Sequence, residues 1–277
     1  MRTRAIAFPL GLYVAALITG AFLALPLVSI FLRIPPGQLL DQLTSGVVTD
    51  AIVVSLKTTV LAQALIVAFG TPTAYLLATR RFPGRSLAIT LIELPLVLPP
   101  AVAGIGLLAA FGRVGLLGSS LSALGIQLPF TQAAVVLAVA FVASPLYVRL
   151  AIAVFESVDS ALIDASRTLG AGEARTFRRI ALPLARGGLA AGAALAFARG
   201  LGEFGATIMF AGSFQGVTQT LSLAIYAQFD VRFDTALALG GLLVVVSATL
   251  LLLLKARLPW KNSASTSPFP FAPSPSS

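Results

Sequence analysis

Arg199 and Glu203 stand four residues apart in an apolar run, a spacing that places both on one helical face and lets them neutralise each other. Charges inside such runs are rare and mark function by default. Two readings of the pair stand side by side: a structural ion pair that fixes a helix contact, and a charged lining of a pathway through the bundle. Lys57, in another apolar run, is either a partner for Glu203 or a side chain that reaches the interface along its own stem. Glu93 and Arg149 lie nearer the ends of their runs, where interfacial pairing accounts for them. Catalysis has little to work with, because the chain contains no cysteine and no histidine. That removes thiolate nucleophiles, imidazole bases, disulfides and the usual zinc ligands, so no metal site and no catalytic residue is assigned. Only Ser-Lys or Asp-Asp chemistry would remain. Lys57 has no serine near it but Ser55, and Asp41 and Asp50 fall in a loop, so the chain is not expected to be an enzyme.

The elements that must hold these charges are membrane spans. Hydrophobic residues make up 57% of the chain and charged residues 10%, against roughly 25% charged in a soluble domain. The mean hydropathy is +0.96. Six apolar runs, Leu10 to Leu32, Ala51 to Thr79, Leu87 to Phe111, Thr131 to Phe155, Leu184 to Ala211 and Thr235 to Leu254, are each long enough to cross about 30 Å of hydrocarbon as a helix. The expected class is all-α, a polytopic membrane protein with about six transmembrane helices. The first run exceeds a signal-peptide core and lacks an A-x-A cleavage site, so it reads as an uncleaved span. Residues 1–50 then hold that span and an outer loop, residues 51–256 the core, and residues 262–277 a Ser/Pro-rich tail expected to be disordered. No repeat period and no inverted halves of the kind found in many secondary carriers are visible, which weakens that alternative.

Basic residues set the orientation, since Lys and Arg accumulate near span ends on the cytoplasmic side. With the N-terminus inside, thirteen of the 19 basic residues fall on that side and three, Arg33, Arg113 and Arg232, outside; Lys57, Arg149 and Arg199 lie within spans. Both termini are expected to be cytoplasmic. The net charge of +9 is spread between apolar segments and forms no basic face, so no nucleic-acid partner is expected, and the lipid bilayer is the surrounding phase.

Pro95, Pro99 and Pro100 each remove a backbone donor from the third run, so that span must kink or break where neighbours or a cavity compensate. A pathway wall and a bend needed only for packing are both consistent with this. Gly188 and Gly192 form a G-x-x-x-G that permits close approach of another helix. The stretch from Gly212 to Asp234, with Thr218, Gln219, Thr220, Ser222, Tyr226 and Gln228, is read as an outer loop that touches an external protein, forms a gate, or simply lies at the interface.

The most informative segment joins the fourth and fifth runs, residues 157–183. Asp159 or Ser160 can cap a short helix carrying Leu162, Ala165 and Leu169 on one apolar stripe, and Gly170 follows as an αL terminator. A basic segment, Glu173 to Arg179, then leads through Ile180, Leu182 and Pro183 back to the membrane. An exposed apolar stripe suits either a partner's groove or the lipid surface. Asp164-Ala165-Ser166, three residues, Gly170, nine residues, then Ile180-Ala181-Leu182-Pro183 resembles the EAA-loop signature of ABC-importer permeases, with Asp for Glu and Ser for the second Ala. Leu94 to Gly104, and Ala198 to Thr207, resemble the molybdate and sulfate permeases, and Ile208 to Gly212 with Thr218 to Tyr226 is closer to the molybdate branch. Gly70 to Tyr75 is similar to the type-1 importer core, and the likeness runs over roughly Ser55 to Leu254.

The resemblance implies a type-1 ABC importer permease core working as a homodimer. It implies that Asp164, Ala165, Ser166, Gly170, Ile180, Leu182 and Pro183 belong to a coupling loop that docks into a separate cytoplasmic ATP-binding subunit. An extracytoplasmic molybdate-binding protein would deliver the anion, with tungstate or sulfate as alternative cargo. No G-x-x-x-x-G-K-[ST] occurs, so no cofactor is expected on this chain, and ATP and Mg would sit on the partner ATPase.

Overall fold

The computed structural model describes residues 2–33, 37, 41, 42 and 44–257, with main chain alone at 2–10, 254, 255 and 257. The tail at 262–277 lies outside the described residues. The expected all-helical class is found: α1 (Arg2–Arg33), α2 (Gly46–Thr79), α3 (Arg85–Val97), α4 (Pro100–Phe111), α5 (Gly118–Ala123), α6 (Gln132–Glu156), α7 (Ser160–Thr168), α8 (Glu173–Thr176), a π-helical turn (Phe177–Ala181), α9 (Leu182–Leu201), α10 (Gly205–Ala211), α11 (Leu221–Phe229) and α12 (Phe233–Arg257). Five helical stretches among the described residues are long and apolar enough to cross a membrane, and α3 with α4 make a sixth crossing if the bent pair is one span.

Apolar side chains face outward here in a way water would not tolerate. Leu12, Leu17, Ile18, Phe22, Leu25 and Leu32 along α1 are all exposed, as are Val53, Leu56 and Phe69 on α2. Lipid tails are as apolar as these side chains, so this outward surface costs nothing in a bilayer. Packing instead rests on close approach. At Gly188 an added Cβ would lie 2.4 Å from a Val154 methyl, at Gly192 it would meet Leu150 at 3.4 Å, and at Gly200 it would meet Val139 at 2.8 Å. The G-x-x-x-G of α9 therefore packs against α6, as small residues in membrane bundles do. Between α2 and α6, buried Tyr147 shares a 2.6 Å hydrogen bond with Thr71, and Gly70 leaves room for the Tyr147 ring.

Three expected spans are redrawn. The third run breaks into α3 and α4, bent by 116°. Pro99 and Pro100 supply no N–H, so the Leu98 N–H closes α3 on Leu94 while the Pro99 carbonyl accepts from Val102 and Ala103 to open α4. The fifth run, read as continuous from Leu184 to Ala211, ends at Leu201 and resumes at Gly205. Its start also lies earlier than expected, because Glu173 to Leu201 is continuously helical and Pro183 does not mark a fresh entry. Pro183 has no N–H to give the Arg179 carbonyl, and the preceding turn widens so that the Leu182 N–H reaches back to Phe177. Finally, α2 begins at Gly46, inside the stretch assigned to the first outer loop.

Candidate functional site

The two broken spans meet at their breaks. A Cβ at Gly205 would lie 2.7 Å from Pro100 Cβ, and one at Gly104 would lie 2.7 Å from both the Ala206 carbonyl oxygen and Met209 Cβ. The sequence thus puts α4 and α10 in backbone contact, each the second half of an interrupted helix. Discontinuous helices inside a bundle free backbone groups and are tolerated only where protein or a cavity satisfies them. Here Ser222 Oγ donates to the Leu201 carbonyl (3.2 Å), and Ser55 Oγ accepts from the Leu221 N–H (2.7 Å).

Glu203 lies within the second break. Its side chain is 1% exposed, Oε2 accepts from Arg199 Nη1 at 2.9 Å, and Oε1 accepts from the Ala206 N–H at 2.8 Å. The expected pair forms, but not on one continuous helical face, since Glu203 follows the Gly202 cap of α9. The carboxylate thereby holds the end of α9 to the start of α10. Arg199 is 36% exposed and keeps the rest of its guanidinium open to other partners. Of the two readings of Lys57, pairing with Glu203 is not found: the side chain is exposed, which fits the interfacial reading, and joins none of the ion pairs found among the described residues. Glu93 and Arg149 pair at 3.6 Å, as their positions suggested.

Several buried polar groups are left without partners. The Gln63 amide and the Thr207 and Thr220 hydroxyls are buried with no hydrogen-bond partner among the described residues. A glutamine in the second apolar run was a legible signal that the sequence reading passed over, whereas Thr220 and Thr207 lay in stretches it had singled out. The stretch read as an outer loop is instead packed: Thr218, Gln219 and Thr220 are buried, Leu221–Phe229 is helical, and of the polar set only Tyr226 is well exposed. Thr218 Oγ1 accepts from the Phe214 N–H (3.0 Å) and folds the turn inward.

Close contact at the paired breaks yields a prediction. Gly104→Ala should destabilise the protein by about 1–3 kcal/mol, because the new methyl meets backbone that cannot rotate away. Gly106→Ala, with nothing within 4 Å, should be neutral. Thermal unfolding of both variants in detergent checks this, and equal midpoints would contradict the tight contact.

The second site is the 157–183 segment. Asp159 Oδ1 accepts from the Ala161 N–H at 2.9 Å and caps α7. The helix ends in a Schellman arrangement, with Gly170 at φ +80, its N–H on Arg167 and the Ala171 N–H on Ser166. Ile163 is buried, while Leu162 and Leu169 are 47% and 88% exposed, so an apolar stripe projects outward beside exposed Asp164 and Ala165. Ser166 and Thr176 share a 3.1 Å hydrogen bond across the turn. Behind α7, Arg85 pairs with Glu156 at 2.8 Å, Arg80 pairs with Glu173, and Tyr75, Phe155 and Phe177 stack with centroids 4.7 to 6.2 Å apart. A cleft of about 480 Å³ beside α7 is lined by Arg81, Arg85, Ile163, Asp164 and Arg167. Ile180 and Leu182 are half-buried and Pro183 is exposed, so the terminal part of the motif turns the chain into α9 and stands apart from the projecting stripe.

A lipid-exposed helical bundle with paired broken spans and a capped, outward-facing helix braced at one end is the architecture of a multi-pass transport subunit. Residues 66–258 match the family described as binding-protein-dependent transport system inner membrane component. The chain belongs to that family. It is 45% identical over 260 residues to the molybdenum transport system permease protein ModB of Mycobacterium tuberculosis, covering 91% of this chain and 95% of that one. It is also 35% identical over 249 residues to the sulfate transport system permease protein CysT of Salmonella typhimurium, covering 89% and 90%. A bacterial alginate ABC transporter solved with a pentasaccharide-bound periplasmic protein shares the fold, with a TM-score of 0.65 at 18% identity over 88% of this chain and 92% of that one.

Proposed function

We propose that this chain is the membrane permease of an ATP-driven oxyanion importer and that its anion is molybdate. The observation that carries the reading is the 45% identity to a molybdenum permease over nearly the full length of both chains. A second reading, sulfate transport, has support in the 35% identity to a sulfate permease. Two copies of the chain would form the channel, with both termini cytoplasmic. The exposed stripe of Leu162 and Leu169 on α7 suits the groove of a cytoplasmic ATPase subunit that carries ATP and Mg. An extracytoplasmic binding protein would deliver the anion to the opposite end. Closure of the ATPase pair on ATP would draw the two α7 helices together and open the permease outward, with the Arg199 region and the paired breaks along the path.

Uptake by cells expressing this chain together with an ATPase subunit and a binding protein of a molybdate importer tests the reading. Labelled molybdate should accumulate, and excess sulfate should compete weakly. Sulfate uptake unaffected by molybdate would transfer the assignment to sulfate, and uptake independent of ATP would overturn an importer of this kind. Orientation is tested separately on this cysteine-free chain with single thiols. Cysteines at Arg81 and Arg175 should be protected from an impermeant reagent in intact cells, and one at exposed Gln215 should react. The reverse pattern would invert the topology.

A further inference from the structure

Arg175, Arg178 and Arg179 line a single cavity of about 490 Å³ with Ala174, and all three side chains are exposed. Their spacing of three and four residues makes them helix-surface neighbours, an arrangement of like charges that is unfavourable on its own. Glu173, the nearest acid in sequence, is committed to Arg80, and the ion pairs among the described residues use none of the three arginines. The π-helical turn widens the helix at Arg178 and Arg179. Immediately beyond, Pro183 and Leu184 are exposed and apolar. At about 1.5 Å per residue, Leu184 stands about 7 Å along the axis from Arg179, close to the depth of one headgroup layer, which is roughly 5 to 8 Å. When Leu184 meets the hydrocarbon edge, Arg179 and Arg178 therefore stand near headgroup level, with Arg175, about 13 Å from Leu184 along the axis, on its aqueous side.

We propose that this cavity binds the phosphate of an anionic phospholipid, a headgroup carried by the leaflet on the α7 side. Arginine favours such a ligand because its planar fork donates two parallel hydrogen bonds to phosphate oxygens. Lipid is favoured over a soluble anion because the cluster adjoins an outward apolar surface that an acyl chain can cover. The site rests on the orientation proposed above, in which this end of the bundle is cytoplasmic and faces the anionic leaflet.

The permease–ATPase complex in phosphatidylcholine nanodiscs, with phosphatidylglycerol added as the probe, tests this by native mass spectrometry. Arg178→Gln with Arg179→Gln should weaken phosphatidylglycerol retention on the order of tenfold to thirtyfold while the complex stays whole. Arg232→Gln, an exposed cation at the other end of the bundle, should leave retention unchanged. Equal retention by the double variant and the wild type overturns the proposal. Displacement of the lipid by inorganic phosphate identifies a soluble-anion site and also overturns it. Loss of the ATPase or of the second copy from the complex, with retention intact, reassigns the cluster to a protein interface. The readout needs no cargo, so failure of molybdate uptake would sink the transport reading without touching this result, and the thiol labelling above reports the orientation independently.

Discussion

Arg199→Met is expected to lower the yield of assembled complex and to abolish uptake, the largest effect foreseen for any single side chain here. The change leaves the Glu203 carboxylate, 1% exposed beside Arg199, with the Ala206 N–H as its one remaining partner among the described residues. Removing one member of a buried pair costs about 3–5 kcal/mol, because the remaining charge is neither solvated nor neutralised. Glu203→Gln should be milder: the amide oxygen can keep the bond to Ala206, and the partly exposed guanidinium can turn toward water or another partner. Arg199→Met combined with Glu203→Gln should recover assembly, since replacing both members by neutral groups is often close to neutral. Complex yield and uptake together separate the two roles. A double variant with normal yield and normal uptake makes the pair a brace between α9 and α10. One with normal yield and no uptake makes Arg199 a guide for the anion, and full activity of Arg199→Met alone contradicts both.

Gly170→Val should insert normally and yet fail to recruit the ATPase or to transport. Gly170 sits at φ +80, where a β-branched residue is strained by about 1–3 kcal/mol. No heavy atom lies within 4 Å of the added Cβ, so the penalty is one of backbone conformation and involves no clash. Releasing that strain means undoing the turn that aims Leu162, Asp164 and Leu169 outward. Gly170→Asn, which tolerates the same backbone region, should restore most ATPase recruitment. Co-purification of the ATPase with the wild type and both variants measures this. If the valine variant recruits it at wild-type level, the turn does not position a docking helix.

Local chemistry decided much of this protein, and that part was open to reading. Runs of apolar residues about 20 long can only be helices where no water satisfies the backbone, so the class and the approximate number of spans followed from composition and length. The Leu98–Pro99 break followed from missing N–H groups, and the α7 helix with its Asp159 cap and Gly170 terminus from capping chemistry within a dozen residues. The family itself was legible, because the Asp164 to Pro183 spacing lies within one segment. What escaped was whatever depends on a partner distant in the chain. The break at Gly202 to Phe204 is held by Ser222 and by a carboxylate that bonds to both helix ends, so the charges in the run from Leu184 marked a site there without announcing that the helix stops. Gln219 looked like a loop residue until Thr218 and the α11 helix folded it against the bundle. Lys57 shared a span with the right depth for Glu203, but which face of α2 turns toward the break was settled by the packing of Thr59 against Gly200. In a bilayer every helix is apolar on nearly all sides, so periodicity, which marks the buried face of a soluble helix, is silent about rotation. Only the close contacts of glycines and the few long-range polar bonds choose it.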